Sequence, residues 1–296
     1  MTHDQVTERT VKTGDGRILA VTEGGDPHGR PVLAHMGTPN SRLLYRPIAE
    51  DAVRQGLRLI SYDRPGYGGS TAQPGRTVAD CAADVEAICA ELGIDRLATW
   101  GISGGGPHVL ACAALLPGLV VAAASLASPA PYGADGLDYF DGMGQMNVED
   151  ISLTLSDPKA AREKLEHDRE EFLAATPEQL AAGMKSLLSP VDAAVLTGEL
   201  ADFLTQSTRD GLAPGGQGWW DDGWAESTPW GFELSAISVP VLLVHGRQDR
   251  FVPFGHGLWL AARIPGVQAW LLDDDGHLTL LERRITQVHA WLADRL

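Results

Sequence analysis

The chain has 296 residues, enough for one large domain or for a core with an insertion. With 44% hydrophobic and 21% charged residues it reads as an ordinary globular protein, which excludes fibrous and disordered classes. Lys and Arg number 23 against 39 Asp and Glu, a net charge of −16, so neither nucleic acid nor an anionic membrane is expected as a partner. The three cysteines, Cys81, Cys89 and Cys112, have neither metal-site spacing nor the pattern of a disulfide framework. Met1–Gln5 has no basic start and no apolar run, so no signal peptide is read there. No stretch is long and apolar enough to span a bilayer, and a cytoplasmic location is expected.

Glu8 to Lys12 and Ile18 to Thr22 alternate across Thr13-Gly14-Asp15-Gly16, a hairpin signal. Pro31 to His35 is a buried strand, Ser41 to Arg54 a helix, and Leu57 to Tyr62 the next strand. Asp63 to Ser70 is too rich in Gly and Pro for anything but a tight loop. Val78 to Leu92 is a helix ended by Gly93, Arg96 to Trp100 a strand, Val109 to Leu116 a buried helix, and Leu119 to Ala127 a strand. Strand and helix thus alternate from Pro31 to Ala127, the pattern of a parallel sheet covered on both faces. The alternation then stops. Ala160 to Ala174, Pro177 to Leu188 and Asp192 to Leu204 read as helices, and a Trp-rich tail follows, with a Gly-rich run that reads as a loop or hinge. Strands resume at Val239 to His245 and Gln268 to Leu272, with helices over His256 to Arg263 and Leu280 to Leu292.

Gly101-Ile102-Ser103-Gly104-Gly105 lies between a strand and a helix. A serine there sits on a sharp, strained turn with its hydroxyl in the open, and Gly101 and Gly105 leave room for the turn. Ligands of an open parallel sheet bind beyond the carboxyl ends of its strands. Two strands end there in suitable residues: Val241 to His245 runs into Gly246-Arg247-Gln248-Asp249, and Gln268 to Leu272 into Asp273-Asp274-Asp275-Gly276-His277. A serine needs a base that titrates near neutrality, and the imidazole needs a carboxylate to hold its tautomer. Ser103, Asp249 and His277 fill these roles. His35, His108 and His245 are rival bases, and Asp273, Asp274 and Asp275 are rival acids, read as lying on the solvent side of their loop. An anionic intermediate needs backbone donors, which Gly104 and Thr38 of Met36-Gly37-Thr38-Pro39 can supply.

Taken together, Met36-Gly37-Thr38-Pro39, Asp63-Arg64-Pro65-Gly66-Tyr67-Gly68, Gly101 to Gly105, His245 to Asp249 and Gly276-His277 resemble the α/β-hydrolase superfamily along nearly the whole chain. The resemblance implies a mostly parallel eight-stranded α/β sheet flanked by helices. It also implies a core of residues 1–128 and 233–296 and a helical cap, residues 129–232, inserted after the sixth strand. Its usual loop is His-Gly-x-Pro, whereas here Met36 precedes Gly37 and His35 stands one place early. A serine rather than an aspartate at the elbow implies acyl transfer, without metal or cofactor.

A small carboxylic ester is therefore the expected substrate. C–C bond hydrolysis and cofactor-free peroxyacid formation are open to the same three residues, and a small-ligand receptor is the non-enzymatic alternative. Four of the eight tryptophans, Trp219, Trp220, Trp224 and Trp230, fall in the Trp-rich tail and are candidates to line the substrate pocket. A monomer and a homodimer are equally compatible with the sequence.

Overall fold

The computed structural model describes residues 6–296; Met1–Gln5, on which the signal-peptide reading rests, lie outside the described residues. Eight strands form one sheet: β1 (Thr7–Lys12), β2 (Ile18–Gly25), β3 (Arg30–His35), β4 (Leu57–Tyr62), β5 (Leu97–Ile102), β6 (Val120–Leu126), β7 (Val241–Gly246) and β8 (Gln268–Leu272). Their spatial order is β1-β2-β4-β3-β5-β6-β7-β8. β1 and β2 form the antiparallel hairpin and β2 meets β4 antiparallel. From β4 to β8 every pairing is parallel.

Side-chain alternation explains the layering. Leu33, Ile60, Leu97, Ala123, Val241 and Leu243 face one core, with α2 (Cys81–Leu92), α3 (Gly105–Leu115) and α10 (Phe254–Ala261) against them. Val32, Ala34, Leu59, Trp100, Leu242 and Val244 face the other, covered by α1 (Arg46–Gln55) and α12 (Ile285–Ala293). β5 and β7 are buried at every residue, which is why their sequences are continuous apolar runs. β1, at the sheet edge, is mostly exposed and charged.

Between β6 and β7 the chain forms α4 (Gln145–Ser156), α5 (Pro158–Ala174), α6 (Pro177–Gly183), α7 (Pro190–Val195), α8 (Gly198–Leu212) and α9 (Gln217–Glu226). The single helix expected over Asp192 to Leu204 is two, α7 and α8, broken at Gly198, where φ is +52°. The one expected over Leu280 to Leu292 divides into α11 (Thr279–Arg283) and α12. Arg284, between them, leaves helical geometry with φ of −117° and bonds Asp275 through its guanidinium. The Gly-rich run is a loop only at Gly215 and Gly216; from Gln217 the Trp-rich tail is the helix α9, with Trp230 beyond it. Its Gly218 serves close approach rather than flexibility, since a Cβ there would lie 2.6 Å from the carbonyl carbon of Gly66. No described helix is long and apolar enough to cross a membrane.

Candidate active site

Ser103 stands between the end of β5 and the start of α3 with φ of +55°. Among the described residues only Ala127 is a second non-glycine with positive φ, and it follows β6, the strand whose Leu126 carbonyl accepts the Ser103 N–H at 2.9 Å. Such a conformation costs about 1–3 kcal/mol and persists only where the surroundings enforce it. The glycines two before and two after the serine are part of that enforcement. A Cβ on Gly101 would lie 2.7 Å from the Gly105 carbonyl oxygen, and one on Gly105 would lie 2.0 Å from the His35 carbonyl oxygen.

Ser103 and His277 line one cavity. His277 precedes α11, and its Nδ1 is 2.7 Å from Asp249 Oδ2. The Asp249 side chain is fully buried. Its other oxygen, Oδ1, accepts the backbone N–H groups of Phe251 and Val252 at 2.8 and 2.9 Å, so the carboxylate is fixed before it meets the ring. Phe251 stacks on the imidazole at 4.5 Å and 22° and fixes the ring plane. Burial pushes His277 toward its neutral form, but the Asp249 charge and hydrogen bond outweigh it and raise the pKa above the usual histidine value. With Nδ1 committed to Asp249, Nε2 is the nitrogen left for the cavity.

The rival residues have other partners. His35 is buried against Tyr62, His108 and the Cys112 thiol, and burial holds it well below its usual pKa. His108 Nδ1 meets the Gly104 carbonyl at 2.8 Å, and burial takes it down to about 3. His245 Nε2 meets the Val252 carbonyl at 2.9 Å, and it too is neutralised by burial. Asp273 pairs with Arg247 at the surface and Asp274 is exposed. Asp275 is not on the solvent side as expected: it is buried and bonded to Arg284, because its carboxylate holds the break between α11 and α12.

Two backbone N–H groups flank the serine. The Met36–Pro39 loop runs against it, so that a Cβ on Gly37 would lie 3.3 Å from Ser103 Cβ. Neither the Thr38 nor the Gly104 N–H is committed to an acceptor among the described residues.

That loop is held by residues without an individual role in the sequence reading. Arg64, in the loop after β4, donates to the Met36 carbonyl and to Thr38 Oγ1. Asp222, on α9, accepts the Thr38 hydroxyl at 2.9 Å, the Tyr67 hydroxyl at 2.9 Å, Arg64 at 2.6 Å and Arg76 at 2.7 Å. Burial alone would raise the Asp222 pKa, but the two guanidinium groups hold it far below the usual carboxylate range. Glu226, one turn on, places a buried and unpartnered Oε1 beside Gly104. Burial and the Asp222 charge push Glu226 up to about 8. Arg64 belongs to the Gly/Pro loop noted above, and Asp222 to the twin acid after Trp219-Trp220, but no local pattern announces that the two meet.

The cavity takes its walls from Phe172, Leu180, Met184 and Leu204 of the inserted segment and from Phe251, Leu278 and Leu281 of the core. The four tryptophans expected to line it do not. Trp219 lies one ring back, stacked on Phe172, Trp220 stacks on Trp224 under Arg162, and Trp230 is buried against Phe232. Trp219 and Trp220 pack α9 against α5 of the same segment, and Trp230 joins the core behind the sheet.

A buried carboxylate–imidazole pair beside a strained serine is an arrangement suited to hydrolytic chemistry. The family model described as alpha/beta hydrolase fold matches residues 30–284, and the chain belongs to that family. It is 27% identical over 250 residues to the bifunctional esterase/perhydrolase DCH of Acinetobacter calcoaceticus, covering 82% of this chain and 83% of that protein. It is 24% identical over 285 residues to a 2-hydroxy-6-oxononadienedioate/2-hydroxy-6-oxononatrienedioate hydrolase of Cupriavidus pinatubonensis, covering 90% and 87%. Among solved structures, a thermophilic esterase of Thermogutta terrifontis superposes with a TM-score of 0.70 at 23% identity, covering 97% and 98%.

Proposed function

We propose that the protein is a serine hydrolase that cleaves a small, neutral carboxylic ester through an acyl-enzyme. The observation that carries this reading is the 2.7 Å contact from His277 to a buried Asp249, at a cavity that Ser103 also lines. Ser103 Oγ attacks the ester carbonyl as its proton passes to His277 Nε2, and the oxyanion is met by the N–H groups of Thr38 and Gly104. The intermediate collapses with the C–O bond breaking, and the alkoxide leaves with the proton from His277. Water, deprotonated by His277, then attacks the acyl group and releases the acid and Ser103.

The lining supports a neutral substrate. It is apolar apart from Asn40, Thr208, Thr38, Ser103 and His277, and no Lys or Arg is in it. A dioate such as the one in the Cupriavidus relative's name carries two charges that these walls cannot meet.

The test is a fluorophosphonate read by intact mass, with Ser103→Ala alongside. The probe phosphonylates an activated serine as fluoride departs. One stoichiometric adduct on the wild type and none on the variant is expected, and multiple turnover should follow on apolar esters. Because protonated His277 cannot act as base, labelling should fall on the acid side, with its limb above the ordinary histidine pKa. A wild type that stays unlabelled would shift the reading to a ligand receptor. Turnover of a vinylogous diketone or of peroxide, with esters untouched, would shift it to C–C hydrolysis or perhydrolysis.

A further inference from the structure

One fully buried carboxylate of the inserted segment reaches the site and has no part in the acyl-transfer scheme. Asp192 lies in the first turn of α7. Its Oδ2 accepts the backbone N–H of His277 at 3.0 Å and the Ser189 hydroxyl at 2.8 Å. Its Oδ1 accepts the N–H groups of Leu278 and Thr279 at 2.8 and 3.2 Å. Its surroundings are therefore N–H and O–H dipoles, and no ion pair to it is present among the described residues. The loop is shaped to admit it: a Cβ on Gly276 would lie 2.2 Å from Asp192 Oδ2.

We propose that Asp192 is a positioning residue for the base, fixing the backbone of 277–279 so that the His277 ring meets Ser103. This rests on the serine hydrolase reading. Two carboxylates then hold one histidine, Asp249 by its ring nitrogen and Asp192 by its main chain. Neither substitutes for the other. Asp249 sets the tautomer, but a ring can swing with its backbone while keeping that bond. Asp192 and the backbone it holds remove that freedom. Alignment of this kind is costly to lose, since a displacement of about 1 Å at a reacting group lowers rates by about 100-fold. The nearby Asp192 charge also adds to the rise in the His277 pKa.

The proposal is tested on the full chain with Asp192→Asn, which keeps one acceptor oxygen but drops the charge and turns an amide N–H₂ toward backbone donors. Ser189→Ala, which removes only one bond to the carboxylate, serves as the milder variant. Two measurements are made from pH 5 to 9: the rate of fluorophosphonate labelling at Ser103, and the His277 titration by NMR of histidine-labelled protein. The expected result for Asp192→Asn is labelling at least about tenfold slower, carried by the rate at saturation rather than by probe affinity. Its His277 pKa and the acid limb of labelling should both move down, and Ser189→Ala should fall between it and the wild type. Wild-type rate and pKa in a folded Asp192→Asn would overturn the proposal. So would a loss matched by the fall in folded fraction with the pKa unmoved, which is a structural role only. If the wild type itself does not label, the hydrolase reading has failed, and the NMR titration still decides whether Asp192 governs His277.

Discussion

Asp192 and Asp222 are two fully buried carboxylates on the same inserted segment, and each grips one half of the site. Asp222 accepts the Thr38 hydroxyl on one side, and Asp192 accepts the backbone N–H of His277 on the other. Their surroundings are opposite in kind. Asp222 meets two guanidinium groups that are themselves buried, whereas Asp192 meets only main-chain N–H groups and a hydroxyl. Full charges compensate Asp222, and dipoles fixed to the backbone compensate Asp192. Asp222 can therefore be lost with its partners as a set, while the N–H partners of Asp192 cannot be mutated away. The inserted segment thus bonds both the loop that holds Thr38 and the loop that holds His277, besides lining the cavity between them.

The sharpest way to break this comparison is Asp222→Ala. It strands two buried cations, and a loss of about 3–5 kcal/mol is expected in urea unfolding. Removing all three charges, with Asp222→Leu, Arg64→Met and Arg76→Met, should recover most of that stability but not fluorophosphonate reactivity, because the tether on Thr38 goes with them. A triple variant no more stable than Asp222→Ala would mean that the charges do not act as a unit. Next in size is Gly218→Ala. The new methyl collides with backbone at Gly66, and a cost of about 1–3 kcal/mol should appear in the same unfolding curves. A neutral outcome would show that α9 can move off the loop that carries Arg64.

Glu226 gives a smaller, pH-dependent effect. Its folded pKa of about 8 lies above the ordinary 4.5. The unfolded chain thus releases this proton first, and stability present below pH 4.5 is lost progressively as pH rises toward 8. Thermal melts should show the wild-type Tm falling over that window more than that of Glu226→Gln, and parallel curves would place the carboxyl in water. Smallest of all is Arg247→Ala, which removes a surface pair with Asp273. A change under about 1 kcal/mol is expected from denaturant melts. A larger one would mean that Arg247, through Asp273 or the Phe254 ring it covers at 4.3 Å, holds the loops of the site as well.

The contrast also explains what could be read from the chain alone. The sheet was legible because strands buried on both faces must be apolar throughout, as in Val241-Leu242-Leu243-Val244. That Ser103, Asp249 and His277 lie beyond the same edge of the sheet was legible because each follows a strand of a parallel sheet. Asp192 was legible only as a local signal: it follows Ser189-Pro190, and Ser189 caps α7. That pattern says where a helix starts and nothing about a loop far along the chain. α9 was hidden by its own composition, because Gly218 and Gly223 weaken helix propensity and only packing against Gly66 accounts for the first. The tryptophans misled for a related reason. Large aromatic rings go where there is area to cover, and here that area lies beside the cavity rather than in it.

The place of the insertion, between β6 and β7, governs the order in which the site comes into being. Ser103 and its turn leave the ribosome early, while Asp249 and His277 follow only after α4–α9 have been made. For much of its synthesis the nascent chain carries Ser103 without Asp249 or His277. Asp192 is translated before the loop it grips, so the clamp precedes its load. These contacts are far apart in sequence, and closing them costs loop entropy before it is repaid. On the hydrolase reading, reactivity cannot precede the strands that follow the insertion and dock beside β6.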